Sequence, residues 1–210
     1  MISNRIKGKG ILAKLLESAI SILVTKECKK INNLKVDIIS SSKQIIKGEI
    51  QKINIIAEDL NYKDLLLDEI RIESNHLKIN FNLINKTLYF KNSPKIEIKI
   101  TLSQNSLKKV LLYSNWKWIG NMIREELLKK SELEDIKIKN GQLFLKTSEK
   151  NQAIKEEEQI IVRAEKGKIY LENKSFNKSI QVPIEDKIYI KDLTIENNLI
   201  NIFANSYLSM

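Results

Sequence analysis

The sequence predicts an α+β protein ordered as helix, antiparallel sheet, long helix and sheet. Three observations carry that expectation. Apolar residues recur at helical spacing from Ile11 to Val24, alternate with period two between Val36 and Leu102, and occupy two sides of a second helical stretch from Gln104 to about Lys130. Strands that follow one another as a meander, instead of alternating with helices, argue against a doubly wound nucleotide-binding sheet.

In the first helix Ile11, Leu12, Leu15, Leu16, Ala19, Ile20 and Leu23 follow the 3, 4 spacing, with Lys14, Glu17, Ser18 and Ser21 opposite. Its flanks are cationic: Arg5, Lys7 and Lys9 precede it, and Lys26, Lys29 and Lys30 follow. Such a helix either caps a sheet or lies on a membrane surface with its lysines reaching toward head groups. A basic start followed by an apolar run has the order of an export signal, but Lys14 and Glu17 interrupt the run and no small-residue cleavage site follows cleanly. The run is also shorter than the roughly 20 apolar residues of a spanning helix.

Val36/Ile38, Ile53/Ile55/Ala57, Ile70/Ile72, Leu77/Ile79/Phe81 and Ile96/Ile98/Ile100/Leu102 each read as a strand with one apolar face. The turn-like stretches "SSSKQ", "NYKD" and "NKT" lie between them. In "HLKINFNLI" the alternation is strict: Leu77, Ile79, Phe81 and Leu83 point one way, His76, Lys78, Asn80 and Asn82 the other. Either the rest of the protein or a ligand has to cover the apolar side.

Ser103 suits the N-cap of the second helix. Stepping about 100° per residue, Leu107, Leu111, Trp118 and Met122 share one side and Leu112, Trp116, Ile119, Ile123 and Leu127 another. A helix apolar over most of its circumference is expected to be enclosed, unless Asn115 or Gly120 divides it. Strands then resume with Ile136/Ile138 and Leu143/Leu145 and continue to Ile200/Ile202. Asn140-Gly141 has the chemistry of a tight hairpin turn, and Asn197-Asn198 resembles it.

Residues suited to catalysis are few. His76 is the only histidine and has no Cys, Asp or Glu at ligand spacing, so neither a metal nor a general base is expected there. Cys28 is the only cysteine, which excludes an intramolecular disulfide and agrees with a reducing cytosol; the neighbouring lysines would lower its pKa, but it has no catalytic partner. The acidic pairs Glu58-Asp59, Asp68-Glu69 and Glu134-Asp135 fall at strand ends or turns, where carboxylates face water. No nucleophile elbow, phosphate loop or dinucleotide fingerprint occurs. The expectation is a protein without catalysis and without a cofactor.

The net charge of +10 calls for an anionic partner, although 32 Lys against 4 Arg and 36 Ile against 5 Val is also the composition of AT-rich codons. Arginine suited to bidentate contacts is scarce, and Tyr170 and Tyr189 with nearby lysines give only a faint aromatic and basic face for nucleic acid.

"IIKGEIQKINIIAEDLNYKDLLLDEIRIESNHLKINF" followed by "IEIKITLSQNSLKKVL" resembles the LmeA-like phospholipid-binding family, a domain common in cyanobacteria and actinobacteria. The shared elements are Gly48 after a short strand, the paired strands "INIIAEDLNYKDLLLDEIRIE", and a strand-to-helix junction, "LSQNSL". At that junction Gln104 stands where the family often has Glu, and Ser106 where it has Asp. The likeness is strongest over 11–145, with 146–210 continuing as antiparallel strands of one lipid-binding-like domain spanning 1–210.

It implies a tubular lipid-binding fold, a long helix wrapped by a strongly curved antiparallel sheet, with phospholipid in the apolar groove between them. The residues then expected at the lipid are Leu112, Trp116, Trp118, Ile119, Met122 and Ile123 from the helix and Leu77, Ile79 and Phe81 from the sheet. Lys7, Lys9, Lys14, Lys26, Lys29 and Lys30 are expected at an acidic head group or bilayer. The expected location is the cytoplasm, peripheral on a membrane. A basic nucleic-acid-binding module and a solid-core interaction scaffold are the rival readings.

Overall fold

The computed structural model describes residues 10–82, 87–128, 132–148 and 155–207. It is an α+β fold of two antiparallel sheets. The first half runs α1 (Ile11–Glu27), β1 (Cys28–Ile39), α2 (Ser42–Ile46), β2 (Glu49–Tyr62), β3 (Leu65–Asn82), β4 (Thr87–Phe90) and β5 (Lys95–Ser103). Two helices follow, α3 (Gln104–Tyr113) and α4 (Lys117–Glu126). The chain ends with β6 (Glu132–Lys139), β7 (Gln142–Ser148), β8 (Lys155–Glu165), β9 (Lys168–Asn173), β10 (Lys178–Val182), β11 (Ile188–Glu196) and β12 (Leu199–Tyr207).

The large sheet has the order β1-β2-β3-β5-β12-β11, with β4 paired to the end of β3; the small sheet has the order β10-β9-β8-β7-β6. The last hairpin returns to the first sheet, where β12 pairs with β5 along nine residues of each. A single bridge, Gly167 to Ile190, links the turn after β8 to β11.

Turn chemistry explains the hairpins. Asn140 and Gly141 both have positive φ, as do Asn197 and Asn198, so each forms a two-residue turn whose twist matches its strands. Lys63-Asp64 and Lys166-Gly167 do the same. Gly48 is required twice over: its φ is 74°, and a Cβ there would sit 2.1 Å from the Ile79 carbonyl oxygen.

The single long helix expected from Gln104 is two helices. Ser114 ends α3 by donating from Oγ to the Val110 carbonyl at 2.8 Å and accepting from the Trp116 N–H at 3.0 Å. The Trp116 indole N–H donates to the Lys63 carbonyl, 3.0 Å away on the β2–β3 turn, so the break is held from outside the helix. After it α4 folds back against α3, with Gly120 so close that a Cβ would stand 2.2 Å from the Leu111 carbonyl oxygen. "SSSKQ", expected as a turn, holds the one-turn helix α2, whose Ser41 and Gln44 form a capping box.

Two buried clusters result. The larger joins α3, α4, the inner face of the small sheet and one end of the large sheet around Leu127 and Ile136, both 0% exposed. The smaller lies under α1, where Leu16 and Ile20 cover Ile38, Ile50, Ile53, Leu77 and Ile79.

Candidate functional site

The residues that shape the candidate site are those of the apolar face of the large sheet. Register places them in adjoining rows: Ile55, Ile72, Ile98 and Ala204 in one, and Ala57, Ile70, Ile100 and Ile202 in the next. On the other side of the first row, Ile53, Ser74 and Ile96 form a third. β3 and β5 are central strands, and a face covered by protein would bury such positions completely. Ala57 and Ala204 are buried, but Ile55, Ile70, Ile72, Ile96, Ile98, Ile100 and Ile202 are only half-buried. Ile55 packs on the cluster under α1, while Ile70, Ile98, Ile100 and Ile202 pack on the larger one. Ile72 and Ile96 join neither, so an apolar seam runs between the two clusters.

Two residues with left-handed backbone, one on β2 and one on β3, flank this seam. Asp59 (φ 47°) and His76 (φ 55°) mark places where the inward positions change parity, from Ala57 to Leu60 and from Ser74 to Leu77, while the β2–β3 register runs on unshifted. His76 itself points to solvent, and its carbonyl accepts from Asn92 Nδ2 at 3.0 Å. Ser74, buried beside the seam, donates to the Lys95 carbonyl at 2.7 Å, so its own hydroxyl is satisfied there.

The residues expected at one lipid are not brought together. Leu77 and Ile79 are buried under α1, whereas Ile123 is buried in the larger cluster with Trp116, Ile119 and Met122 against it. Leu112 is half-buried and Trp118 is 43% exposed. The side chain of Phe81 lies outside the described residues, as do Lys7 and Lys9. Lys14, Lys26, Lys29 and Lys30 are exposed on or just after α1, with Lys29 2.6 Å from Asp64. Periodicity identifies which residues face inward but not which neighbour meets them, and the half-buried isoleucines carry the same signal as packed ones.

Among the described residues two depressions are well defined. One of about 420 Å³ lies at the middle of the large sheet, lined by the row Ile55, Ile72, Ile98 and Ala204 together with Ile56, Phe203 and the charged side chains of Lys35, Arg71, Lys99, Lys191, Asp37, Glu73 and Glu97. Signs are mixed and partly paired there, with Lys52 2.6 Å from Glu73 and Lys95 3.0 Å from Glu97, so no anion or cation is favoured. The other, about 660 Å³ and open, follows α1 past Lys14, Ser18, Ser21 and Ile22 to Lys35 on β1. Neither touches α3 or α4.

The two tyrosines of the faint nucleic-acid face fall on different sheets: Tyr170 is on β9 of the small sheet, its hydroxyl 3.2 Å from Gln181, and Tyr189 is exposed on β11 of the large one; beside Tyr170, Arg163 reaches Glu172 at 3.3 Å. Burial and the adjacent Glu27 carboxylate push the Cys28 thiol up, the reverse of the activation that nearby lysines would give. Among the described residues no group of three His, Cys, Asp or Glu side chains is placed to hold a metal ion. No helix among them is long and apolar enough to cross a membrane.

Comparison with protein-family models, with curated proteins and with solved structures gives no match. The likeness to the LmeA-like family rests on the sequence motifs alone.

Proposed function

We propose that this protein binds the acyl chain of a lipid without catalysis, laid along the isoleucine seam between its two buried clusters. The observation that carries the reading is the half-burial of Ile72 and Ile96 on central strands of a seven-stranded sheet, between two well-packed clusters. An acyl chain covering that strip gains about 0.8 kcal/mol for each CH₂ removed from water. Ile72 and Ile96 themselves are hydrocarbon, and the Ser74 hydroxyl opposite Ile96 is already spent on the Lys95 carbonyl, which suits an acyl chain better than a polar substrate.

Native mass spectrometry of the purified protein, with lipid analysis of its organic extract, tests the reading directly. The expected result is a mass excess that extraction removes and that matches a phospholipid or fatty acid. Bare protein that also takes up no fluorescent fatty acid or phospholipid overturns it. The pair Ile72→Thr/Ile96→Thr keeps β-branched side chains and is expected to weaken uptake several-fold while the protein stays folded. Unchanged uptake by that variant would put the lipid elsewhere.

A further inference from the structure

The outward side of α1 is a second apolar surface, and it differs from the seam in its setting. Leu16 and Ile20 face the sheet, with Ala13 also buried, yet Ile11, Leu15 and Ile22 are 78%, 62% and 57% exposed. Stepping about 100° per residue, those three fall within about 40° of one another, so they form one stripe along the helix. The sheet-facing residues lie on the other side. A helix held by one face has no packing need for a stripe of large aliphatic side chains on the opposite one.

Charge decides what the stripe fits. Lys14 falls about 60° to one side of it and Lys26 about 20° to the other, and both are exposed. The two acidic residues of α1 stand away from it: the Glu17 carboxylate accepts from the Ile38 N–H at 2.7 Å, turned toward β1, and Glu27 closes the helix on the sheet-facing side. The start of α2 abuts the start of α1, where a Cβ on Gly10 would meet Ser42 Oγ at 2.9 Å. α2 brings exposed Ile46, Lys43 and Lys47, again apolar and cationic. The sequence before the helix adds Arg5, Lys7 and Lys9.

We infer that α1 docks this protein on an anionic bilayer, with Ile11, Leu15 and Ile22 entering the acyl boundary and Lys14 and Lys26 at the head groups. A protein partner with an apolar groove would satisfy the stripe but would need an acidic rim on both sides; an anionic leaflet supplies that rim by its nature. The open groove beside the helix is lined by Lys14 and Lys35 as well as Glu17, whose carboxylate is engaged by the Ile38 N–H, so cations outnumber acids along it two to one. Docking is independent of the seam: it requires neither a bound lipid nor Ile72.

The test is flotation of the full chain with vesicles of pure phosphatidylcholine and with vesicles of phosphatidylcholine mixed with phosphatidylglycerol, at low and high salt. Flotation with the anionic vesicles alone, falling as salt screens the charges, is the expected result. Leu15→Gln/Ile22→Gln changes only exposed positions and keeps good helix formers. It is expected to lower binding on the order of tenfold or more with an unchanged melting temperature. Lys14→Gln/Lys26→Gln is expected to lose roughly fivefold per lysine at low salt. Ile72→Thr/Ile96→Thr is expected to float like the unaltered protein, which separates failure of docking from failure of lipid uptake. Absence of flotation, equal binding by Leu15→Gln/Ile22→Gln, or a dimer in solution that this pair splits into monomers would each overturn the inference.

Discussion

The inner face of the small sheet and the apolar face of the large sheet are written in the same alphabet and end in different states. Both alternate isoleucine or leucine with polar residues. On the small sheet Ile136, Ile138, Leu143, Leu145, Ile160 and Leu171 are buried, because α3 and α4 lie across them. On the large sheet the row from Ile55 through Ile72 to Ile98 is half-buried, because α1 covers only the β1 side and the helix pair only the far end. Coverage therefore distinguishes packed core from candidate site, and coverage is decided by elements distant in sequence.

The largest expected effect breaks or upholds this contrast with one substitution made twice. Ile136→Ala empties a fully enclosed site and is expected to cost roughly 3–5 kcal/mol; Ile72→Ala removes a side chain already in partial contact with water and is expected to cost about 1 kcal/mol. Urea denaturation of both variants with a common m-value measures the difference. Equal losses would mean that the seam is as well filled as the small-sheet core.

Gly120→Ala comes next and sharpens the account of the filled side. The added methyl would stand 2.2 Å from the Leu111 carbonyl oxygen, backbone against backbone, so α4 has to move off α3. A loss of about 1–3 kcal/mol is expected despite alanine's higher helix propensity. A gain in melting temperature would show that the two helices are not held at that distance.

Much of this arrangement was legible in the sequence, and the limits have physical causes. Period-two alternation marked the strands because the pleat forces it, and Asn140-Gly141 marked a hairpin because both residues tolerate positive φ. The division at Ser114 was not legible as such. Helical spacing continues through it, and what holds the break is the Trp116 indole on the Lys63 carbonyl, a contact across 53 positions. The parity changes at Asp59 and His76 were hidden for a related reason, since only non-glycine residues occupy those left-handed positions. The seam was invisible because Ile72 and Ile138 look alike until their neighbours are known. Ile11 and Leu15 of the outward stripe follow the same 3, 4 spacing as Leu16 and Ile20, Ile22 falls outside that spacing, and the stripe separates only once the sheet takes one side.

A smaller effect concerns Cys28, at the junction of α1 and β1 beside the larger cluster. Burial first, and then the negative charge of Glu27, raise its pKa, so less thiolate is present at neutral pH than for an unhindered cysteine. Alkylation at pH 7.5, a buffer value near the usual thiol range of about 8.5, is expected to be slower than for free cysteine, and Glu27→Gln to hasten it modestly. A rate above that of free cysteine would mean that the basic neighbours outweigh both causes.

The smallest expected effect is electrostatic and lies on the filled side, where Lys108 of α3 meets Asp135 of β6 at 2.7 Å. The hydrogen bond from Lys108 holds the Asp135 carboxyl below its ordinary value, partial burial opposes this, and the Ile136 N–H adds to it. A carboxylate with a lowered folded pKa contributes stability that is fully present above its unfolded value, about 3.9, and is lost as pH falls through the folded value. Asp135→Asn should therefore melt slightly below the unaltered protein at pH 7, by a small fraction of the Ile136→Ala loss, since both partners remain partly exposed to water. The two melting curves should converge once acid has protonated Asp135 in the folded protein. If the gap stays constant from neutral pH through that titration, the carboxylate acts there through shape and hydrogen bonding, and the ion pair contributes nothing to holding α3 on the small sheet.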